Sequence, residues 1–160
     1  MNTSAFVGLG ANLDDPRTHV LRAFDELARL PQTILSARSS LWRSAPLGHA
    51  QQPEFVNAVA RLETGLDADA LLEGLQGIER AHGRERSFTN APRTLDLDLL
   101  LFGEESRATP ALTLPHPRMH ERAFVLEPLL EIAPDAGISR HGSARKCLAA
   151  LRGQVRQRIA

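Results

Sequence analysis

The sequence predicts an α+β fold, an antiparallel sheet with helices laid on it, and three observations predict it. Four short stretches, residues 5–9, 33–43, 55–62 and 95–102, carry the alternation or the unbroken apolar run of strands. Two longer stretches between them repeat large apolar residues at helical spacing, each opening on an aspartate. No linker, repeat or low-complexity segment divides the 160 residues, so one domain over 1–160 is expected.

Residues 5–9 form a buried strand that runs into Gly8-Leu9-Gly10-Ala11-Asn12. Asp15 is the expected N-cap and Pro16 the first helical residue of a helix with Val20, Leu21, Phe24, Leu27 and Ala28 at helical spacing; Pro31 ends it. Residues 33–43 make a second strand, with Ile34, Leu41 and Trp42 as its large apolar members, and the proline and glycine of Ser44-Ala45-Pro46-Leu47-Gly48-His49 make a loop. In the third strand, Phe55 and Asn57 share a face. Asp67 or Asp69 caps a second helix with Leu71, Leu72, Leu75 and Ile78 as its core stripe, Gln76 and Glu79 on a neighbouring face and Gly83 as the residue past its end. A basic segment follows, and then the fourth strand.

The order β-α-β-β-α-β is the ferredoxin-like arrangement, with both helices on one face of the sheet. Beyond it we expect a short strand at 111–114, a rigid Pro115-His116-Pro117 turn, two helical pieces over 123–132 interrupted by Pro128, a last helix over 143–151 and a polar tail.

The stretch that carries chemistry is Asn90-Ala91-Pro92-Arg93-Thr94-Leu95-Asp96-Leu97-Asp98-Leu99-Leu100-Leu101-Phe102-Gly103. On a strand Asp96 and Asp98 point the same way, roughly 6–7 Å apart, with Leu97, Leu99 and Leu101 opposite. Unpaired carboxylates are costly to bury, so the pair should face water, a cation or a metal. Hard oxygen ligands at this spacing suit Mg²⁺, which takes one or two carboxylates and completes its shell with water and phosphate oxygens. Alternating acid and leucine also describes a half-solvated sheet surface. Pro92 and Arg93 tilt the balance, since a rigid approach and a cation beside two carboxylates suit a bound phosphate.

Several classes are excluded. The 19 basic and 19 acidic residues cancel, so no nucleic-acid footprint or membrane-binding face is predicted. Lys146 is the sole lysine, and no Gly-x-x-x-x-Gly-Lys phosphate loop occurs. Leu13 stands where a dinucleotide fingerprint needs its third glycine. Cys147 is alone, falls in an apolar helical pattern with Leu148 and Leu151, and fits a reducing cytoplasm. No apolar run approaches membrane-spanning length.

Pro92-Arg93-Thr94-Leu95-Asp96-Leu97-Asp98 with the apolar run that follows closely resembles the signature of the 6-hydroxymethyl-7,8-dihydropterin pyrophosphokinase family of folate biosynthesis. The resemblance extends through Gly8-Leu9-Gly10-Ala11-Asn12-Leu13, Ala45-Pro46-Leu47-Gly48, Phe55-Val56-Asn57, Pro115-His116-Pro117-Arg118-Met119 and Arg122-Ala123-Phe124. It implies transfer of the β,γ-diphosphate of ATP to the hydroxymethyl oxygen of the pterin, with release of AMP and two Mg²⁺ ions held by Asp96 and Asp98. By position it assigns Arg84 and Arg93 to catalysis with the two aspartates. Gln76, Glu79, Arg84, Arg86, Arg93, Leu99, Thr113 and His116 fall to ATP. Ala45, Pro46, Leu47, Gly48, Phe55, Asn57, Arg122 and Phe124 fall to the pterin, the two phenylalanines stacking on the ring and Asn57 reading its edge.

Arg86 lies where the family has a lid, and Asn90 and Ser87 depart from the tryptophan and the basic residue that some members carry there. The partners implied are small molecules, and a chain of this size can act as a monomer. Two other functions compete: another Mg²⁺-dependent phosphotransferase on a small hydroxylated ring, and a ferredoxin-like module that binds a nucleotide without turnover.

Overall fold

The computed structural model describes residues 2–44, 54–83, 94–151, 153–154 and 156–159. Its strands are β1 Thr3–Ala11, β2 Thr33–Arg38, β3 Trp42–Ser44, β4 Phe55–Thr64, β5 Asp96–Phe102, β6 Arg107–Ala108, β7 Thr113–Leu114, β8 Gly137–Ile138, β9 Gly142–Ser143 and β10 Arg156–Arg158. Its helices are α1 Pro16–Ala28, α2 Ala68–Ala81, α3 Ala123–Ile132 and α4 Ala144–Ala150, with a 3₁₀ turn at Met119–Glu121. The main sheet runs β10-β3-β4-β1-β5 with β2 also on β4, and every neighbouring pair is antiparallel. This is the expected ferredoxin-like core. β10, which falls in the expected polar tail, adds a strand to its edge.

Alternation decides what each face buries. Ala5, Val7 and Leu9 of β1, Ala58, Ala60 and Leu62 of β4, and Leu97 and Leu99 of β5 pack with Phe24 and Leu27 of α1 and Leu71 and Leu75 of α2. The opposite face carries a second cluster of Val59, Leu100, Met119, Val125, Leu126, Leu129, Ile138 and Ala144, contributed largely by α3 and its neighbours. Helices therefore cover both faces once the C-terminal third is included.

Four local expectations need correction. The strand expected over 33–43 breaks into β2 and β3, because Ser39 turns its side chain onto the ladder: Val59 N–H donates to Ser39 Oγ at 2.9 Å, and Ser39 N–H donates to the Val59 carbonyl at 2.9 Å. Glu131 of α3 then holds the corner, accepting from Ser40 N–H and from Trp42 Nε1–H at 3.0 and 3.1 Å.

In β5 the alternation slips. Val7 pairs with Leu99 but Phe6 pairs with Leu101, so Leu100 is the extra residue of a bulge. Leu101 consequently leaves the face of Leu97 and Leu99 and packs against the second cluster, while Phe102 returns to the first.

Pro128 does not divide 123–132; it lies inside the single helix α3. An internal proline costs about 3 kcal/mol. The burial of Val125, Leu126 and Leu129 outweighs that, at roughly 1.5–3 kcal/mol per fully buried apolar side chain.

Asp15 precedes α1 with φ 62°, and its carboxylate accepts from the Thr18 hydroxyl at 2.7 Å rather than from a backbone N–H. α2 is capped as expected, by Asp67, which accepts from Ala70 N–H at 2.8 Å, and Gly83 follows its end at φ 80°. His82 closes that helix. Its ring is buried between Glu26, 2.5 Å from Nε2, and His19, 2.6 Å from Nδ1, tying α2 to α1. Ser143 caps α4 by accepting from Lys146 N–H at 3.1 Å.

Candidate active site

The site is laid out by the register of three strands. Asp96 pairs with Gly10 and Asp98 with Gly8 across β5 and β1, and on the other side of β1 Gly10 pairs with Asn57 of β4. Asn57 pairs in turn with Trp42 of β3. Paired residues of an antiparallel sheet share a face, so Asp96, Asp98, Asn57 and Phe55 line one face, with Gly10 between Asp96 and Asn57. The expected common face of Asp96 and Asp98 is present, and both are half-buried. A methyl group added at Gly10 would stand 3.3 Å from Asn57 Oδ1. Gly10 leaves the space between Asp96 and Asn57 without a side chain of β1, whereas at Gly8 the Leu100 side chain lies 3.5 Å from where a side-chain carbon would stand.

Supports fix the rim. Glu79, buried on α2, accepts from Leu97 N–H at 2.8 Å and so anchors the backbone between the two aspartates. Gln76, one turn back, is exposed. Leu99 directs its side chain into the core on the far face, so only its backbone borders the cleft.

After the cis Leu114–Pro115 bond, His116 N–H donates to the Leu100 carbonyl at 2.9 Å, which stitches the turn to β5. Arg118 N–H donates to His116 Nδ1 at 3.1 Å, which leaves the ring proton on Nε2, 4.0 Å from Asp98 Oδ2. Burial first, and then the positive charge of Arg122, push the His116 pKa down to about 4 against the opposing pull of Asp96; Arg118 adds to the lowering. His116 is thus a neutral donor at the edge of the carboxylates.

Arg122 Nη1 is also 4.0 Å from Asp98 Oδ2, and its guanidinium carbon lies 5.6 Å from the centre of the Phe124 ring. Phe124, in the first turn of α3, and Phe55, at the start of β4, are both half-buried. Thr113 and His116 line a cavity of about 350 Å³ with Arg107, Ser106, Ser139 and Arg140. Arg107 is already committed there to Asp69 and Glu105, both at 2.6 Å.

The structure therefore gathers Asp96, Asp98, His116, Arg122, Phe124, Phe55 and Asn57 about one end of the sheet. Ala45, Pro46, Leu47, Gly48, Arg84, Arg86 and Arg93 lie outside the described residues. Sequence reasoning missed Ser44, which accepts from Asn57 Nδ2–H at 2.6 Å. It also missed the hairpin of β8 and β9, whose Ser139 and Arg140 border the cavity; Gly142, at φ 89°, was the only local signal of that turn.

Among the described residues no group of three histidine, cysteine or acidic side chains could hold a metal by itself. Two half-buried carboxylates on one face nevertheless suit an ion that takes the rest of its shell from water and phosphate.

Comparisons with known proteins give the family and the fold. The family model for 7,8-dihydro-6-hydroxymethylpterin-pyrophosphokinase matches residues 6–134. The 2-amino-4-hydroxy-6-hydroxymethyldihydropteridine pyrophosphokinase of Pseudomonas aeruginosa is 52% identical over 130 residues, covering 81% of this chain and 80% of that protein. The protein of the same name from Haemophilus influenzae is 46% identical over 132 residues, 82% of each chain. A solved HPPK-DHPS structure in complex with substrates superposes with a TM-score of 0.72 over 93% of this chain and 43% of that one; at 12% identity this shows the fold alone. Among the described residues no helix is long and apolar enough to cross a membrane.

Proposed function

The chain belongs to the 7,8-dihydro-6-hydroxymethylpterin-pyrophosphokinase family, and from that premise we propose that it transfers the β,γ-diphosphate of ATP to the hydroxymethyl oxygen of 6-hydroxymethyl-7,8-dihydropterin, a step of folate biosynthesis. The new bond joins that oxygen to the β-phosphorus, the bond from the β-phosphorus to the α,β-bridging oxygen breaks, AMP leaves and the hydroxyl proton is lost. One observation carries the reading: a same-face carboxylate pair and a buried amide are held two strands apart, with Gly10 between Asp96 and Asn57. Strands are spaced about 4.7–4.9 Å, which puts the Asp96 and Asn57 backbones about 10 Å apart. A flat bicycle laid over Gly10 with its edge at Asn57 carries its hydroxymethyl group toward Asp96.

The residues divide the work. Phe55 and Phe124 offer faces for stacking, and Asn57 meets the polar edge of the ring. Asp96 and Asp98 would hold two Mg²⁺ ions, whose charge would offset that of the phosphate oxygens and make the β-phosphorus more electrophilic. Arg122 adds fixed positive charge beside Asp98, and His116 gives a neutral Nε2–H to a phosphate oxygen without adding a charge. Thr113 and the cavity it lines receive the nucleotide, and Gln76, Glu79 and the backbone at Leu99 are assigned to it by their positions in the family pattern. Arg84 and Arg93 bear on the triphosphate, and Arg86 on closure over it; Ala45, Pro46, Leu47 and Gly48 complete the pterin pocket. No residue forms a covalent intermediate. The lone cysteine fits a reducing compartment, and we assign the protein to the cytoplasm.

Phosphorus NMR of the protein with ATP, Mg²⁺ and the pterin, alongside a run in EDTA, tests the reading. The expected products are AMP and a pterin diphosphate, absent in EDTA. ADP would keep the carboxylate site but require a different reaction, and intact ATP with bound ligand would leave only a binding module.

A further inference from the structure

We infer that Gln154, in the C-terminal segment, is a positioning residue for Arg122: its carboxamide grips the backbone on both sides of Arg122 and so sets where the guanidinium stands beside Asp98. The inference rests on the pyrophosphoryl-transfer reading above and deepens it.

Arg122 answers two demands that conflict. It occupies the N-cap of α3, where a serine, threonine, asparagine or aspartate side chain ordinarily turns back to accept from the free N–H groups of the first turn. A guanidinium has no acceptor. This one stands 4.0 Å from Asp98 and 5.6 Å from the centre of the Phe124 ring, and it makes no cap. The first turn has no acidic residue either. Gln154 takes the task over from 31 residues away. Its Oε1 accepts from Ala123 N–H at 2.8 Å, and its Nε2–H donates to the Glu121 carbonyl at 2.9 Å. One partner is a donor and the other an acceptor, so the carboxamide fits in a single orientation.

The other backbone groups of Arg122 are fixed by its neighbours in the chain. Its N–H donates to the Met119 carbonyl at 3.2 Å, and its carbonyl accepts from Val125 and Leu126 N–H, both at 3.0 Å. With Gln154 in place, the peptides before and after Arg122 are both tied, at φ −119° and ψ 103°. Those two angles aim the Cα–Cβ bond, and a small rotation there swings the end of a long side chain through a wide arc. Gln154 is itself held. Arg156 donates from Nη1 to the Gln154 carbonyl at 3.1 Å and from Nη2 to Glu127 of α3 at 2.8 Å, and it lies on β10, paired with β3. Both bonds of the Gln154 carboxamide go to backbone, so its influence on transfer passes through the residue it brackets.

A double-mutant cycle in the full chain tests this, read as the kcat for turnover of radiolabelled ATP to AMP with Mg²⁺ and saturating pterin, on proteins shown to be folded by circular dichroism. Gln154→Met keeps the length of the side chain and removes both hydrogen bonds. It is expected to lower kcat about tenfold in the otherwise unchanged protein, with the KM for ATP within about twofold. In the Arg122→Ala background, itself more than about tenfold slower, the same change is expected to cost less than about twofold. Gln154→Asn carries both groups on a shorter side chain that cannot reach both peptides. Its effect should be in the same direction, and it completes the cycle if the methionine variant does not fold.

An equal fractional loss of kcat with and without the Arg122 side chain overturns the inference in favour of a helix cap that serves stability alone. Unchanged kcat in Gln154→Met beside a loss in Arg122→Ala also overturns it and leaves the transfer reading standing. Full activity of Arg122→Ala overturns it by removing the role that Gln154 supports. Absence of transfer by the wild-type protein removes the transfer reading, and the inference with it.

Discussion

One face of the sheet carries charged side chains at both of its ends, and the two ends are built differently. At the end near Thr3 and Thr64, Ser4 donates to Glu63 at 2.7 Å, Arg61 to Glu63 at 3.0 Å and Ser36 to Glu63 at 3.2 Å. The Ser4 hydroxyl first of all, with Ser36 and Arg61 adding, holds the Glu63 carboxyl below the usual range even though burial opposes it. At the other end His116 and Arg122 each stop 4.0 Å from Asp98, beyond hydrogen-bond reach. Glu63 is held by direct hydrogen bonds from three neighbours, whereas His116 and Arg122 approach Asp98 without touching it. The first end is built by side chains of adjacent strands bonded directly to one another, and the second by a strand, the turn that holds His116 and the residue that precedes α3.

The largest effect should separate the two ends outright. Asp96→Ala is expected to lower kcat by about 10²–10³-fold or more, with an unchanged far-ultraviolet circular dichroism spectrum. Glu63→Gln should stay within about twofold of wild type, since nothing in its network is spent on the transition state. Radiolabelled ATP turned over to AMP gives both numbers, and an active Asp96→Ala protein would dissolve the contrast.

Acid comes next. His116 is neutral in the folded protein, with its pKa at about 4 against 6.5 unfolded, so the unfolded chain takes up a proton that the folded one refuses. Its contribution is fully present above pH 6.5, is lost as pH falls from there toward 4, and changes no further below that. The slope is at most about 1.4 kcal/mol per pH unit. His19, lowered chiefly by burial and then by His82, acts in the same direction. Urea unfolding of wild type and His116→Gln between pH 7 and 4 isolates the His116 share; parallel curves would show that the ring titrates freely.

A smaller effect is expected at the floor of the cleft. Gly10→Ala brings a methyl group to 3.3 Å from Asn57 Oδ1, so the pterin KM should rise about tenfold while thermal stability changes little. Gly8→Ala meets only Leu100 at 3.5 Å, ordinary contact, and should be milder. Equal KM values for the two variants would mean that the ring does not lie over Gly10. The smallest effect is at the paired end, where Glu63→Gln should cost no more than about 1 kcal/mol in chemical denaturation, because its partners are partly exposed.

Most of the core could be read from periodicity, and the exceptions share a cause. Periodicity registers a side chain's face but not a backbone hydrogen bond taken by a side chain, and Ser39 does that in splitting the second strand. Nor does it register an extra residue in one strand: Leu100 is as apolar as its neighbours, and only the register against β1 exposes the bulge. Pro128 misled because the rule for proline weighs the helix alone and not the cluster it packs into.

The aspartates were legible because two charges on a leucine strand are conspicuous. Ser44 and the Glu131 clamp were not, since their partners lie far along the chain or across the sheet. His82, bound to side chains 56 and 63 residues away, gave no signal at all.

Lys146 stands exposed on α4 as the only lysine of a chain whose other basic groups are arginines and histidines. An amine-directed reagent used above neutral pH therefore has one side chain to find, and a lysine-specific protease one bond to cut. A dye or a tether can be attached there without modifying any guanidinium that the reaction is proposed to use, and digestion with that protease distinguishes it from a label on the α-amino group.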